Sequence, residues 1–417
     1  MSLKRCLETG LMQNYDIRII RNEQKISDNN YTVGNAGYLP TIDLSAGYSG
    51  TSNNIEQKLA ETGEINKNNG VDNQTLNAGV NLNWTIFDGF QIQAKYEKLK
   101  ELKQMGELST RLAVEDLISS LTSEYYNYVR QNIRLGNLKY AVSLSKERLR
   151  IVEARYNIGS MSRLDLQQAR VDFNTDSSNL IKQQEILYTS RIMLNQLMAL
   201  EDVSQMLVVA DSVIIPDSRL QEAEIREKTM MYNAHLLVTG KNKRISELDY
   251  KAVKSRDFPY LRLNVGYGYT QNRYETGSYD RQKTMGLNYG ITLGFSIFDG
   301  FNRKREQKNA QIQIQNSELQ YDQMELDLKA NLANIWMAYT NNLDLLNLEK
   351  ENLETARENY DIAIERYKLG ELSGIELREA QNSLLEAEER LLLASYNTKL
   401  CEISLMQISG QITGYME

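Results

Sequence analysis

The sequence TIFDGF at residues 85–90 returns as SIFDGF at residues 296–301, which is 211 positions later. A second motif, RYNIG at residues 155–159, returns as RYKLG at residues 366–370 with the same spacing. Two separate motifs that keep one register indicate duplication of a whole structural unit rather than chance similarity of short strings. The sequence therefore predicts two fused repeats that share one structure.

Two segments of alternating apolar and small or polar residues precede each FDGF motif. They cover about residues 40–52 and 74–87 in the first copy and about 259–271 and 284–298 in the second. A period of two predicts β-strands with one apolar and one polar face. The polar, Asn- and Gly-rich residues 51–73 between the first two strands are predicted as a long loop.

Such strands suit a membrane β-barrel, with lipid outside and water inside, or a soluble antiparallel sheet with one wet face. Aromatic residues at the strand ends favour the membrane, since aromatic rings concentrate at bilayer interfaces. Four strands cannot close a barrel, and an open edge in lipid is not viable, so several chains have to close it together. The predicted membrane-interface aromatics are Trp84, Phe87, Phe90, Phe295, Phe298 and Phe301.

Long helical segments follow each FDGF motif. Residues 90–158 and 301–369 contain no proline and almost no glycine, and a continuous helix of 69 residues would be roughly 100 Å long. Each segment ends at a tight turn, at 158–163 and at 369–374, from which a second helix returns. Gly159 and Gly370 suit a left-handed helix cap, and Ser162 and Ser373 suit the N-cap of the next helix.

The duplication also predicts the domain organisation. Residues 1–200 form the first repeat, with a helical hairpin at about 90–200, and residues 221–417 form the second, with a hairpin at about 301–409. Residues 201–220 are predicted as the connector between the copies, with room for a short strand. Residues 3–36 are predicted as one helix from their apolar spacing.

Composition excludes several functions. The net charge of −7 gives no basic footprint for nucleic acid. One histidine, His235, and two cysteines, Cys6 and Cys401, nearly exclude a His-based metal site and a Cys/His nucleophile, so no metal, cofactor or enzyme is predicted. The cysteines are interpreted as separate thiols, although pairing stays open. No apolar run approaches the ~20 residues of a transmembrane helix. No signal peptide is visible, which indicates either a cytosolic chain or one given without its leader.

The order of these elements resembles the TolC-like outer-membrane efflux proteins of Gram-negative bacteria. Helix, strand, loop, strand, FDGF, long helix, RYxxG turn and returning helix recur in that order across essentially the whole chain. The resemblance implies a mainly α-helical homotrimer of the bacterial outer membrane, with a 12-stranded β-barrel of four strands per chain. It implies a trimeric α-barrel of coiled-coil-like helices that extend into the periplasm, and a signal or lipoprotein leader ahead of Met1.

The resemblance implies an exit duct that passively conducts substrates from a periplasmic adaptor (membrane fusion) protein and an inner-membrane transporter to the outside. Outer-membrane lipid is a further partner. A duct for type I protein secretion fits the same sequence. A soluble elongated coiled-coil scaffold is the alternative of a different class, and it leaves the four alternating strands unexplained.

The resemblance also places a periplasmic gate in the second hairpin. Glu376 and Glu379 lie three residues apart, on one helix face, and match an acidic ring at the family's entrance. Such a ring favours cations, and mutual repulsion is expected to raise some of its pKa values. Asp165 and Tyr367 match residues that tie the hairpins together in the closed state. Leu372 replaces an arginine of some members, and Arg163 is a candidate substitute. An ordinary solvated helix face is the alternative for the two glutamates.

The two turns resemble the family's docking tips for the adaptor. Met161 and Leu372 are expected to be exposed apolar anchors. Plain helix-turn chemistry explains the glycines and serines equally well but leaves the apolar residue between them unexplained. The predicted docking residues are Gly159, Met161, Ser162, Gly370, Leu372 and Ser373.

Overall fold

The computed structural model describes residues 1–276 and 279–416. The described chain is mainly helical, with one four-stranded antiparallel sheet, and its elements occur twice in the same order, as predicted. The elements are α1 (Leu3–Gln13), α2 (Tyr15–Asn30), α3 (Val33–Ala36), β1 (Thr41–Lys58), β2 (Ile65–Phe87), α4 (Gln91–Asn157), α5 (Arg163–Leu197), α6 (Glu222–Tyr232), α7 (Ala234–Lys254), β3 (Tyr260–Tyr274), β4 (Arg281–Gly294), α8 (Asn302–Leu369) and α9 (Gly374–Ile408).

The chain divides into two compact units, each built from both repeats. The sheet unit contains Ile26–Gln104 and Lys241–Leu319. The hairpin unit contains Met1–Lys25, Met105–Gly240 and the stretch from Gln320 onward. Helices α4 and α8 run for 67 and 68 residues, which confirms the predicted long helices. Among the described helices, none combines the length and apolar character needed to cross a membrane.

The sheet has the strand order β1-β2-β3-β4, with antiparallel pairing throughout. Tyr260 pairs with Gly294 at one end of β3, and Asn83 pairs with both Thr41 and Asn264. The predicted alternation is confirmed, since Ile42 and Leu44 lie on one face while Asp43 lies on the other. Edge strands β1 and β4 have no further partner strand among the described residues.

The prediction of a long loop at residues 51–73 is wrong. β1 continues to Lys58 and β2 starts at Ile65, so the two strands form a long ribbon that pairs Ser52 with Asp72 and Lys58 with Ile65. An ion pair of 3.0 Å joins Glu56 to Lys67 across the ribbon. Apolar alternation indicates which face of a strand is buried, whereas the strand itself needs only backbone hydrogen bonds to its neighbour. A ribbon that is polar on both faces therefore escapes a pattern search.

The fourth strand is also shorter than predicted. β4 ends at Gly294 rather than near residue 298. Gly294 pairs with Tyr260, which is the first residue of β3, so the backbone after Gly294 has no strand to pair with.

The prediction of a single helix at residues 3–36 is wrong, because the helix is interrupted at Asn14 and again at residues 31–32. The Asn14 Oδ1 atom accepts hydrogen bonds from the backbone N–H groups of Asp16 (2.9 Å) and Ile17 (3.3 Å), and its Nδ2 donates to the Leu197 carbonyl (3.1 Å). The equivalent Asn233 separates α6 from α7 and donates in the same way to the Ile408 carbonyl (2.9 Å). Each asparagine therefore caps one helix and attaches it to the end of a returning helix. That attachment is a tertiary contact, invisible to helical periodicity.

The connector at residues 201–220 forms no strand, contrary to the short strand allowed for above. Its backbone is held by the Asn195 side chain, whose Nδ2 donates to the Val203 and Gln205 carbonyls at 2.9 Å each, and by the Met1 carbonyl, which accepts from the Ala210 N–H at 2.9 Å. Cys6 and Cys401 are free thiols, which confirms the interpretation of two separate cysteines. The largest buried core lies nearby and includes Leu7, Ile118, Leu121, Tyr125 and Leu194.

Candidate gate and docking site at the hairpin tips

The two hairpin turns are built in the same way. Gly159 and Gly370 have φ values of +78° and +82°, in the left-handed region that favours glycine. The N–H groups of Ser160 and Glu371 donate to carbonyls five residues earlier, at 2.9 and 3.0 Å. These bonds satisfy carbonyls at the helix end, and the predicted glycine caps are confirmed.

The returning helices begin with matching capping boxes. Ser162 Oγ accepts from the Asp165 N–H at 3.1 Å, while Asp165 Oδ2 accepts from the Ser162 N–H at 3.1 Å. In the second hairpin, Ser373 Oγ accepts from the Glu376 N–H at 3.2 Å, and Glu376 Oε2 accepts from the Ser373 N–H at 2.9 Å. The predicted N-caps are confirmed. The acids three residues after the serines complete S-x-x-D and S-x-x-E boxes, a sequence signal that the predictions above did not include.

Capping changes the titration expected for Glu376. Hydrogen bonds from Ser373 hold the pKa of this exposed carboxyl below its usual value of 4.5, and the charge of Arg366 acts in the same direction. A depressed pKa means that the carboxylate stabilises the fold above pH 4.5. This contribution is lost as the pH falls through the lowered value.

Ser373→Ala is therefore expected to raise the pKa of Glu376 toward 4.5 and to speed amide exchange in the first turn of α9. A carboxyl titration by isotope-edited spectroscopy, together with hydrogen exchange, measures both effects. Ser162→Ala is the matched control, since it removes the other cap and leaves Glu376 untouched. A Glu376 pKa that does not move in the Ser373 variant would show that the capping bond is not its cause.

Tyr367 is fully buried, in a cluster with Tyr360, Leu377 and Leu384. Burial raises the pKa of its hydroxyl, while the nearby Arg155 and Arg148 guanidinium groups oppose the rise. Leu372 packs against this same cluster and is half-buried. The prediction that Leu372 is an exposed anchor is therefore wrong.

The large exposed apolar side chains at the tips differ from those predicted. Met161 is half-buried, like Leu372, and its side chain lines a cavity between the hairpins. Ile158 and Leu369 occupy equivalent positions just before the two turns, and Leu164 and Ile375 are equivalent just after them. All four are 75–80% exposed. They keep the 211-residue offset, which was the sequence signal available for finding them.

Two contacts join the first hairpin to the second near the tips. Asp176 on α5 accepts two hydrogen bonds from the Arg378 guanidinium on α9, at 2.7 and 2.8 Å, and both side chains are largely buried. Arg155 on α4 lies 5.2 Å from the centre of the Tyr367 ring and donates to the Tyr367 and Lys368 carbonyls. Arg163, the candidate substitute, is exposed and has no ion pair with a described residue. Arginine supplies both links, but from positions the sequence reasoning did not select.

A cavity of about 410 Å³ lies between the hairpins at the tips. It brings together four of the predicted residues, Met161, Asp165, Tyr367 and Glu379. Glu376, Leu372 and the two turn glycines are not among its lining residues. Within residues 1–276 and 279–416, no cluster of three or more His, Cys, Asp or Glu side chains is arranged to hold a metal ion.

The two FDGF motifs, which belong to the sheet unit, start the long helices. Asp88 carboxylate oxygens accept from the Ile92 N–H at 3.1 and 3.2 Å, and Asp299 accepts from the Arg303 N–H at 2.9 Å. In each motif the Gly and the following Phe have positive φ, including Phe90 at +74°. The chain thus turns sharply from strand into helix.

The predicted interface aromatics cluster at these two turns. Phe87 meets Phe90 edge-on at 5.2 Å, and Phe298 meets Phe301 edge-on at 5.3 Å. Trp84 Nε1 donates to the Tyr38 carbonyl at 2.9 Å. Five of the six predicted rings are exposed and Phe87 is half-buried, so this surface is aromatic and accessible. Their place at a bilayer boundary stays a prediction.

Comparisons with known proteins match this architecture. The family model described as "Outer membrane efflux protein" matches residues 7–200 and 235–411. TolC of Vibrio cholerae is 23% identical over 396 residues, covering 92% of this chain and 84% of that protein. TolC of Escherichia coli is 19% identical over 362 residues, covering 82% of this chain and 71% of that protein. The crystal structure of the Campylobacter jejuni CmeC outer membrane channel has a TM-score of 0.82 at 17% identity, covering 98% of this chain and 85% of that one.

The chain belongs to the outer membrane efflux protein family. It is an exit duct of tripartite efflux systems, located in the bacterial outer membrane, and it is not an enzyme. The gap between the two matched segments includes the connector, in agreement with two repeats.

Proposed function

We propose that three copies of this chain form one channel, in which their sheets close a 12-stranded barrel in outer-membrane lipid. The open-edged sheet supports this proposal most directly. Its apolar face is exposed on both edge strands, with Leu44 of β1 at 81% and Tyr289 of β4 at 80%. An uncovered face of this kind is rare on soluble proteins. The apolar positions of β4 from Leu293 to Met285 span roughly 27 Å at about 3.4 Å per residue, close to the ~25 Å apolar band of membrane barrels.

The edges of the sheet support the same assembly. β1 and β4 each present an unpaired row of backbone N–H and C=O groups, and in lipid such groups have to be satisfied. Pairing β4 of one copy with β1 of the next satisfies both edges by one repeated, head-to-tail contact. The long helices then form a tunnel that extends into the periplasm and conducts substrates passively.

The hairpin tips are the proposed docking surface for a periplasmic adaptor protein that works with an inner-membrane transporter. The supporting observation is the set of four exposed apolar side chains at equivalent positions of the two tips: Ile158, Leu164, Leu369 and Ile375. Apolar groups clustered on an exposed surface mark interaction sites. Rigid caps at Gly159 and Gly370 present them in a defined geometry.

The proposed gate consists of the acids of the second hairpin, Glu376 and Glu379, whose carboxylates are both exposed. In a trimer they provide six carboxylates around the channel axis, and acidic rings of this kind favour cations. The buried Asp176–Arg378 pair and the Arg155 contact with Tyr367 hold the two hairpins of one chain together beside this ring. Opening the gate therefore has to break these two contacts or move both hairpins of the chain together.

The test uses the full chain in detergent and in planar bilayers. We expect light scattering to give the mass of three copies and the trimer to form cation-selective channels that divalent cations block. Glu376→Gln with Glu379→Gln should weaken both the selectivity and the block. Gln at position 376 still completes the capping box, so the helix start is preserved.

Two outcomes would count against different parts of the proposal. A monodisperse monomer that forms no channel would overturn the trimeric duct. Unchanged selectivity and block in the double variant would overturn the gate role of the two glutamates and leave the duct standing. Asp165→Asn tests separately whether the equivalent capping acid of the first hairpin contributes to the gate, since Gln168 provides no second acid beside it.

A further inference from the structure

The polar face of the sheet carries very few charges. The polar face is the one on which Asp43, Asn83 and Asn264 lie in the four-stranded part of the sheet. Its positions are otherwise occupied by Asn, Gln, Ser, Thr, Gly and Tyr, and the charged side chains on it are Asp43 on β1 and Arg262 on β3. Each of these two charges therefore acts on a nearly neutral background.

Neighbouring strands form a built support for Arg262. The ring of Tyr260 lies directly over Gly294, so closely that a Cβ atom at Gly294 would be 2.3 Å from the ring. The Arg262 guanidinium lies over the same ring, 4.6 Å from its centre. A guanidinium stacked on an aromatic face is held without being neutralised. Gly294, Tyr260 and Arg262 thus form a stack that holds one cation on the polar face.

No carboxylate of the described residues forms an ion pair with Arg262, which is exposed. Its pairing neighbours are Thr85 on β2 and Thr292 on β4. Asp43 lies on β1, two strands away from β3. The row of paired residues that contains Asp43 crosses β3 at Gly266, which is four residues, or roughly 13 Å, along the strand from Arg262. Asp43 is also occupied, because its Oδ2 accepts from Asn83 and Thr41 at 3.4 Å each. At physiological salt, charges beyond about 8 Å are largely screened, so the two do not cancel.

We propose that Arg262 is a specificity-determining residue of the exit lumen, where it attracts anionic groups of the cargo. This inference rests on the proposed trimeric barrel, in which the polar face lines the water-filled interior. Three copies then place three guanidinium groups at one level, in a row whose neighbours are threonines. Rings of Arg or Lys favour anions in pores, and the planar guanidinium suits oxyanions such as carboxylates.

The experiment measures the reversal potential of single channels across a gradient of potassium chloride, and then of potassium benzoate as an organic carboxylate. Arg262→Gln is expected to lower the anion-to-potassium permeability ratio by about twofold or more at low salt. Arg262→Lys should keep most of the wild-type ratio. The difference should shrink near 1 M salt, where the screening length falls to about 3 Å.

Arg273→Gln is the matched control, because Arg273 is an exposed arginine of the same strand on the opposite face. We expect it to leave the ratio unchanged. Channels that conduct normally but show the same ratio in the Arg262→Gln variant would overturn this inference and leave the duct intact. Equal effects of the two arginine variants would also overturn it. The absence of any channel in the unmodified protein would instead overturn the trimeric duct.

Discussion

Gly89→Ala is expected to destabilise the folded chain by about 3 kcal/mol or more. Gly89 has a φ of +71°, where alanine is strained. A Cβ atom there would also lie 2.1 Å from the Ser255 carbonyl oxygen and 2.8 Å from Phe258 Cβ. The obstacle is backbone, which no rotamer change can move. The turn after α7 therefore has to shift, and the contact of Phe90 with Phe258 shifts with it.

Gly300→Ala is the matched control for this variant. Gly300 holds the same place in the second FDGF motif and has a φ of +70°. Its added Cβ would meet nothing nearer than Asn302 Nδ2 at 3.6 Å, so only the backbone strain remains, at about 1–2 kcal/mol. Denaturant unfolding of the two variants in detergent measures the difference. Equal losses would show that the close approach to Ser255 does not matter.

Glu402→Gln is expected to cost about 3–5 kcal/mol, because it leaves a buried lysine without its counter-charge. Lys399 and Glu402 form an ion pair of 2.7 Å on α9, and both side chains are 7% exposed. Glu402 also accepts from the Tyr415 hydroxyl at 2.6 Å and from the Asp217 N–H at 2.8 Å. Glutamine has one acceptor oxygen in place of two, so the variant removes the charge and also one of the two acceptors that Lys399, Tyr415 and the Asp217 N–H use. Lys399 lies 5.1 Å from the rings of both Tyr126 and Tyr415, which hold it in place.

A second variant separates charge from packing. Lys399→Met combined with Glu402→Gln removes both charges and is expected to be more stable than Glu402→Gln alone. Glu222→Gln breaks an exposed pair with Arg226 and should change the free energy of unfolding by no more than about 0.5 kcal/mol. Thermal or denaturant unfolding in detergent checks all three. If the double variant is less stable than Glu402→Gln alone, the unpaired charge of Lys399 is not what destabilises the single variant.

Local patterns predicted the elements that local physics controls. The long helices α4 and α8 follow from stretches without proline, and their ends follow from Gly159 and Gly370, which reach a positive φ at no steric cost. The strands β3 and β4 and the first part of β1 follow from side chains that alternate between two environments. Each of these signals lies within one short window of sequence.

Other features depended on residues far apart in the chain. The ribbon of β1 and β2 around Glu56 and Lys67 is polar on both faces, so its pairing left no apolar signal. Asn14 interrupts a helical pattern because its amide reaches the Leu197 carbonyl. At the tips, Leu372 is half-buried while Leu369 is 75% exposed, although both are leucines within four residues. The position of Tyr367 decides which of them is covered.

The sequence by itself determined that the chain is duplicated, where its long helices turn, and which strand face is apolar. Repetition, helix caps and side-chain alternation are properties of the chain alone. Only the tertiary structure decided how equivalent residues differ. Gly89 and Gly300 stand in the same motif with the same φ, yet only Gly89 lies against the Ser255 backbone. Likewise, Arg262 and Arg273 share one strand, but the stack on Tyr260 and Gly294 holds only Arg262. Burial and charge at a position depend on what other elements place beside it, and no local pattern records that.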